Sequence, residues 1–189
     1  AVDMGINTAA VCAVVDKYGT VVHRSFFDRT DKDRVYQIMQ RIRSKAKKAT
    51  RHGSKIPSGF CASEHRRLRQ LNQNMSHQIS RKIVDLAHKF GCDGIIIEDL
   101  KRWKPKGHSK TMKIKFHNWF KSSLSDNIQS KSVEIGVRTH PVYARGTSSY
   151  AYDGSGKLLR DKDNYANARF ISGKRYNADL NAAYNIATR

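Results

Sequence analysis

Three carboxylates stand out in an otherwise strongly basic chain. Asp3 lies in Ala-Val-Asp-Met-Gly, Glu98 ends the run Gly-Ile-Ile-Ile-Glu, and Asp179 lies in Asn-Ala-Asp-Leu-Asn-Ala-Ala. Gly5 follows Asp3 closely and lets backbone or ligand come near. A carboxylate at the end of a buried strand is costly unless it meets a cation or several donors. Three of them converging would repel one another, and divalent ions relieve that. Mg2+ and Mn2+ favour such hard oxygen ligands. Two ions about 4 Å apart can activate a water, clamp a phosphate and stabilise the leaving oxygen. The chemistry open to such a set is phosphodiester hydrolysis.

Taken singly, each residue has a plainer role open to it. Asp3 could hydrogen-bond a neighbouring turn. Glu98 could pair with Lys101 or Arg102 at the strand end. Asp179 could be a first-turn helix acid, with Asn177 as the cap. The case for a site rests on the arrangement of all three. His117 and His140 are weaker candidates for a catalytic base, because a metal-bound hydroxide needs none.

The elements that must hold these residues are legible in outline. Thr8 to Phe27 reads as a β-hairpin, two β-branched and aromatic runs around Asp16-Lys17-Tyr18-Gly19. Arg34 to Arg51 reads as a basic helix with Val35, Ile38, Met39 and Ile42 at helical intervals. After a Gly/Ser/Pro break at 53–59, the stripe Leu68, Leu71, Met75, Ile79, Ile83, Leu86 and Phe90 predicts a long helix, with Ser63 as N-cap and Gly91 as stop. Gly94 to Leu100 is short, apolar and β-branched, the pattern of a buried central strand. Phe116 to Ser130 is predicted helical, Ser132 to Thr139 a strand closed by Pro141, Tyr150 to Phe170 a hairpin or long loop, and Ala178 to Ala187 a helix. Strands alternating with helices after an early hairpin imply an α/β layered fold with a mixed sheet.

Composition points the same way. The chain has 189 residues, enough for one sizeable core, and 36 Lys and Arg against 16 Asp and Glu give a net charge of +20. So basic a domain calls for a polyanion, most often nucleic acid. Lys101, Arg102, Lys104, Lys106 and Lys110, interleaved with Trp103, would suit a groove where cations track phosphates and an aromatic stacks on bases. Trp119 and Phe120 read instead as the buried face of a helix. Arg41, Lys45 and Lys48 are either a solvated helix face or a second phosphate-contacting one. Cys12, Cys61 and Cys92 lack CxxC spacing, which argues for reduced thiols in a cytoplasmic protein and against a zinc site or disulfide framework. No apolar run is long enough for a membrane helix. The opening Ala-Val-Asp-Met-Gly reads as a strand entered midway, as in a fragment of a longer protein.

The three carboxylate segments together resemble the RuvC motifs of the TnpB/OrfB nucleases encoded by insertion sequences and of the related type V CRISPR effectors. Ala1 to Asn7 matches the first motif, Ile95 to Leu100 the second, and Asn177 to Ile186 the third, in family order. The resemblance implies an RNase H-like (RuvC) mixed sheet flanked by helices, spanning residues 1–189 as one nuclease domain. It implies that Asp3, Glu98 and Asp179 hold two Mg2+ or Mn2+ ions, with Asp3 bridging both. It also implies a DNA endonuclease of the prokaryotic cytoplasm, partnered by guide RNA and target DNA. The alternatives are a catalytically inactive RuvC-like binding module, or another RNase H-fold resolvase or transposase.

The chain departs from the family at one place. Thr147-Ser148 matches the segment that precedes a zinc ribbon, yet no Cys lies between it and the third motif. Residues 147–176 therefore resemble a degenerate ribbon, a metal-free hairpin packed by Tyr150, Tyr152, Tyr165 and Phe170. Zinc is not expected there.

Overall fold

The computed structural model describes residues 1–51, 53–100, 120–161 and 164–189. The hairpin forms as expected, β2 (Ala10–Val15) pairing antiparallel with β3 (Val21–Phe27). Its turn is tied by Asp16, whose Oδ1 accepts from the backbone N–H groups of Tyr18 and Thr20 at 2.9 and 2.8 Å. β1 (Val2–Asp3) joins β2 antiparallel, then pairs parallel with β4 (Gly94–Asp99). β4 in turn pairs parallel with β5 (Arg138–Tyr143). The order β3-β2-β1-β4-β5 puts β1 at the centre of a mixed sheet, as the RNase H-like expectation requires.

Helices cover both faces. α1 (Lys32–Ala49) packs on α2 (Ala62–Lys89), which packs on α3 (Lys121–Glu134). The predicted stripe on α2 is buried at Leu68, Met75, Ile79 and Ile83, and the last three join Leu124 and Ile128 of α3 over Val2, Cys12, Ile95 and Ile97 of the sheet. Buried serines let the two helices approach: Ser76 Oγ takes hydrogen bonds from Asn127 and Ser123 at 2.7 and 3.0 Å. α4 (Ala178–Ala187) covers the opposite face, packing on β1, β2 and β4. Beside it lies a small antiparallel sheet of β6 (Leu159–Arg160), β7 (Asn167–Arg169) and β8 (Arg175–Asn177).

Four expectations need correction. Ser63 does not cap α2; Cys61 holds that position in a left-handed conformation, and the Ser63 hydroxyl donates to Glu64 instead. Ser132 to Glu134 are helical rather than strand, because α3 runs on to Gly136 before it stops. That stop repeats the one at Gly91. At both, a left-handed Gly follows the cap and the next two N–H groups bond back to the last carbonyls: Gly91 to His88, Cys92 to Ala87, Gly136 to Val133, and Val137 to Ser132. Val133 is accordingly 77 % exposed. Pro141 does not end a strand but lies inside β5, which tolerates a missing N–H because β5 is the sheet's edge. Finally, Tyr150 and Tyr165 are 50 and 65 % exposed and do not pack the small sheet. Tyr152 and the buried Phe170 do, joined by Tyr176 and Tyr184, in edge-on and tilted contacts at centroid distances of 4.9–6.1 Å.

Candidate active site

Strand register decides which side chains can meet. Paired residues share a face of the sheet, and successive residues alternate between faces. Val2 pairs with Cys12 and with Ile97, and all three face α2 and α3. Asp3 and Glu98, each one residue further on, therefore stand on adjacent strands and face the other way. Asp3 also pairs with Val11, which packs against Leu180, Ala183 and Tyr184 of α4. Both acids thus face the helix that carries Asp179 in its first turn. Asn177 caps that helix, its Oδ1 accepting from the N–H groups of Asp179 and Leu180 at 3.0 and 2.9 Å. The cap leaves the Asp179 carboxylate free of that duty.

Electrostatics report the same convergence. Asp3 is buried, and burial pushes its carboxyl well above the usual carboxylate range; the charges of Glu98 and Asp179 push it further, and Arg160 opposes them. Burial also raises Glu98, against the Thr147 hydroxyl and the Arg189 charge. Asp179, half-buried, is raised by burial and opposed by Arg160. Asp3 thus feels the charge of both other acids, while burial is the largest cause at each of the three. Among the described residues, no group of three or more His, Cys, Asp and Glu side chains is arranged so that it could hold a metal ion.

Three features of the site are not evident from the sequence reading. Thr147 is 1 % exposed and its hydroxyl lies 2.5 Å from Glu98 Oε1. It was legible only as a flank of the missing ribbon. Arg160, from β6, holds the carbonyls of Ser148 and Tyr165 at 3.3 and 3.2 Å while placing its charge near Asp3 and Asp179. Arg189 bonds the carbonyls of Tyr143 and Arg145 and places its charge near Glu98. Neither arginine lies in a motif, so only the tertiary contact reveals it.

The proposed nucleic-acid residues divide. Lys101, Arg102, Trp103, Lys104, Lys106 and Lys110 lie outside the described residues, as do His117 and Trp119. Phe120 is buried in the core, as expected. Arg41, Lys45 and Lys48 share one exposed stripe of α1, but Lys45 is engaged in an ion pair with Glu64. That stripe belongs to the α2 side of the sheet, away from the carboxylates. No helix among the described residues is long and apolar enough to cross a membrane. Cys12, Cys61 and Cys92 are free thiols, and burial pushes Cys12 up to about 12.

No protein-family model matches the chain. It is 25 % identical over 127 residues to the TnpB-like protein aq_aa05 of Aquifex aeolicus (strain VF5), an alignment covering 64 % of this chain and 42 % of that relative. The chain thus spans less than half of that relative's length. Two solved structures share its fold. One, a Cas12f1-sgRNA-target DNA complex, superposes with a TM-score of 0.65 at 15 % identity, covering 98 % of this chain and 48 % of that one. The other, a CRISPR-Cas12f ternary complex, gives 0.64 at 17 % identity, covering 98 % and 37 %. In sequence the chain is similar to that TnpB-like protein, and in fold it is similar to the two Cas12f structures.

Proposed function

We propose that this chain is the nuclease core of an RNA-guided DNA endonuclease, with Asp3, Glu98 and Asp179 as its metal-binding carboxylates. The observation that carries the reading is the placement of Asp3 and Glu98 side by side on the face that receives Asp179. Three buried or half-buried acids, each raised by burial and Asp3 also by the charges of the other two, form a donor set suited to hard divalent cations. Mg2+ or Mn2+ bound there would supply an activated water and neutralise charge on the scissile phosphate. Asp3, on the central strand of the sheet, is the proposed ligand common to both ions. Arg160 adds a cation on the rim, where a phosphodiester would carry its negative charge.

Guide RNA and target DNA are the proposed partners. The +20 charge suits them, and one of the solved relatives is itself a complex with sgRNA and target DNA. Guide pairing would read sequence, while the protein supplies charge and the cutting site. The domain is proposed to span residues 1–189, with 147–176 standing where the family has its ribbon. A rival reading, a non-catalytic binding module, draws on the open arrangement of the three acids. Against it, a scaffold without chemistry gains nothing from holding three mutually repelling carboxylates in one desolvated place.

Asp3→Ala and Glu98→Ala in the full-length, guide-loaded protein should reduce target cleavage to background while leaving target binding intact. Cleavage retained by either variant sinks the proposal.

A further inference from the structure

Glu98 lies one residue before the end of β4, and its side chain has three torsions to fix before it can serve as a ligand. Among the described residues, its hydrogen-bonding partner is Thr147, whose hydroxyl stands 2.5 Å from Oε1. That hydroxyl also lies 2.9 Å from the Ala144 carbonyl. It has one proton to give and two acceptors within reach, so it sits at a crossing point between the loop and the strand.

The loop is itself held from a third place. Asn185 Nδ2 donates to the carbonyls of Thr147 and Tyr150 at 2.8 and 2.7 Å. One turn earlier on the same helix, Asn181 is 0 % exposed. Its Nδ2 donates to the Tyr150 carbonyl at 2.8 Å, and its Oδ1 accepts from the Tyr152 N–H at 2.9 Å. Both asparagines stand on α4, whose first turn carries Asp179. Asn181, buried and paired at both ends, is the more rigid contact, since breaking it strands a polar group away from water; Asn185, half-buried, adds its two Nδ2 hydrogen bonds.

We propose that Thr147 is a positioning residue for Glu98, and that Asn181 and Asn185 clamp its loop to α4 so that Asp179 and Glu98 keep a set spacing. The inference rests on the nuclease reading of the carboxylates and adds a role which that reading does not need. A hydrogen-bonded partner behind a ligand orients it and tunes its donor strength, and removing such a partner typically lowers metal affinity or activity about 10- to 100-fold.

The test uses the full-length, guide-loaded protein with Thr147→Val, which keeps the shape and loses the hydroxyl, and Thr147→Ser, which keeps the hydroxyl. Turnover at saturating target should fall roughly 10- to 100-fold in Thr147→Val, with target affinity unchanged. Mn2+ affinity, measured directly by titration calorimetry, should weaken in the same variant. Thr147→Ser should recover most of both losses. Wild-type turnover and Mn2+ affinity in Thr147→Val overturn the proposal, and so does an equal loss in both variants, which would trace the effect to disturbed packing at this buried position rather than to the hydroxyl. If Thr147→Val folds poorly, Asn185→Ala carries the test: it should lose turnover without losing target affinity, and wild-type turnover there is fatal. Asp3→Ala run alongside separates the two levels. An inert Asp3→Ala beside a fully active Thr147→Val removes the positioning role alone, whereas an active Asp3→Ala removes the nuclease reading beneath it.

Discussion

Val2 and Asp3 are neighbours in the chain and belong to different environments. Val2 joins Ile79, Ile83, Ile97, Leu124 and Ile128 in a dry cluster beneath α2 and α3. Asp3 turns to the α4 side, where Glu98, Asp179, Thr147 and Arg160 supply charge and hydrogen bonds. Even the apolar contacts on that side are hybrid. Tyr184 shares hydroxyl contacts with Tyr176 and Arg24, and Lys174 lies 5.1 and 5.2 Å from the Tyr152 and Tyr176 ring centres. The difference teaches that one sheet separates two environments: the α2–α3 face packs a dry apolar cluster, and the α4 face gathers buried acids and hydrogen-bonding groups beside a smaller apolar one.

That division can be broken most directly from the dry side. Leu124→Ala removes a side chain that is wholly buried and should cost about 2–5 kcal/mol in urea unfolding. A cost under about 1 kcal/mol would mean that this face is not the one that carries stability.

The opposite sign is expected across the sheet. Asp3 holds its proton more tightly folded than unfolded, so the folded state is favoured at acid pH. That stability is present below the ordinary Asp value of about 3.9 and is lost as pH rises from there through the raised folded value. Glu98 and Asp179 act in the same direction. The metal-free protein should therefore lose thermal stability as pH rises from about 4 toward neutrality. Asp3→Asn should flatten that profile and raise the neutral-pH melting temperature by roughly 2–4 °C, the shift 1 kcal/mol makes in a chain of this size. Added Mn2+ should raise the melting temperature of the parent and not of Asp3→Asn. A parent profile that falls no more steeply than that of Asp3→Asn between pH 4 and 7 would contradict the raised proton affinity of Asp3.

The smallest effect concerns the aromatic layer. Tyr184→Phe keeps the ring and loses the hydroxyl that meets Tyr176 at 2.9 Å, at a cost of about 0.5–1.5 kcal/mol. It should also bring down the Tyr176 phenol, which burial and the Tyr184 hydroxyl together push up to about 12. Spectrophotometric titration of the tyrosines reads that change. An unchanged titration curve would detach this cluster from the polar network of the α4 face.

Much of the fold is legible from local signals. The hairpin, the long stripe of α2 and the last helix follow from alternation, 3.6-residue spacing and caps. The failures lie where two local signals compete. Val133, Ile135 and Val137 alternate like a strand, but Gly136 is a helix stop of the same kind as Gly91, and the buried Ser132 commits the preceding turn to α3. Tyr150 and Tyr165 have the composition of packing residues, yet the layer they were expected to fill is occupied by Tyr176 and Tyr184 from later elements. Composition cannot say which of several tyrosines arrives first.

The sequence by itself determined the three carboxylates, their order and the elements that carry them, because residue type and short-range period are local properties. It determined the charge that suits nucleic acid. Only the tertiary structure decided that Asp3 and Glu98 share a face with α4, since a one-residue slip in the register of β1 would have turned Asp3 into the dry core. It alone brought in Thr147, Arg160 and Arg189, whose contacts span 49 residues from Thr147 to Glu98 and 46 from Arg189 to Tyr143. Such contacts leave no period in the chain; they exist only once the sheet and its two covering layers have closed.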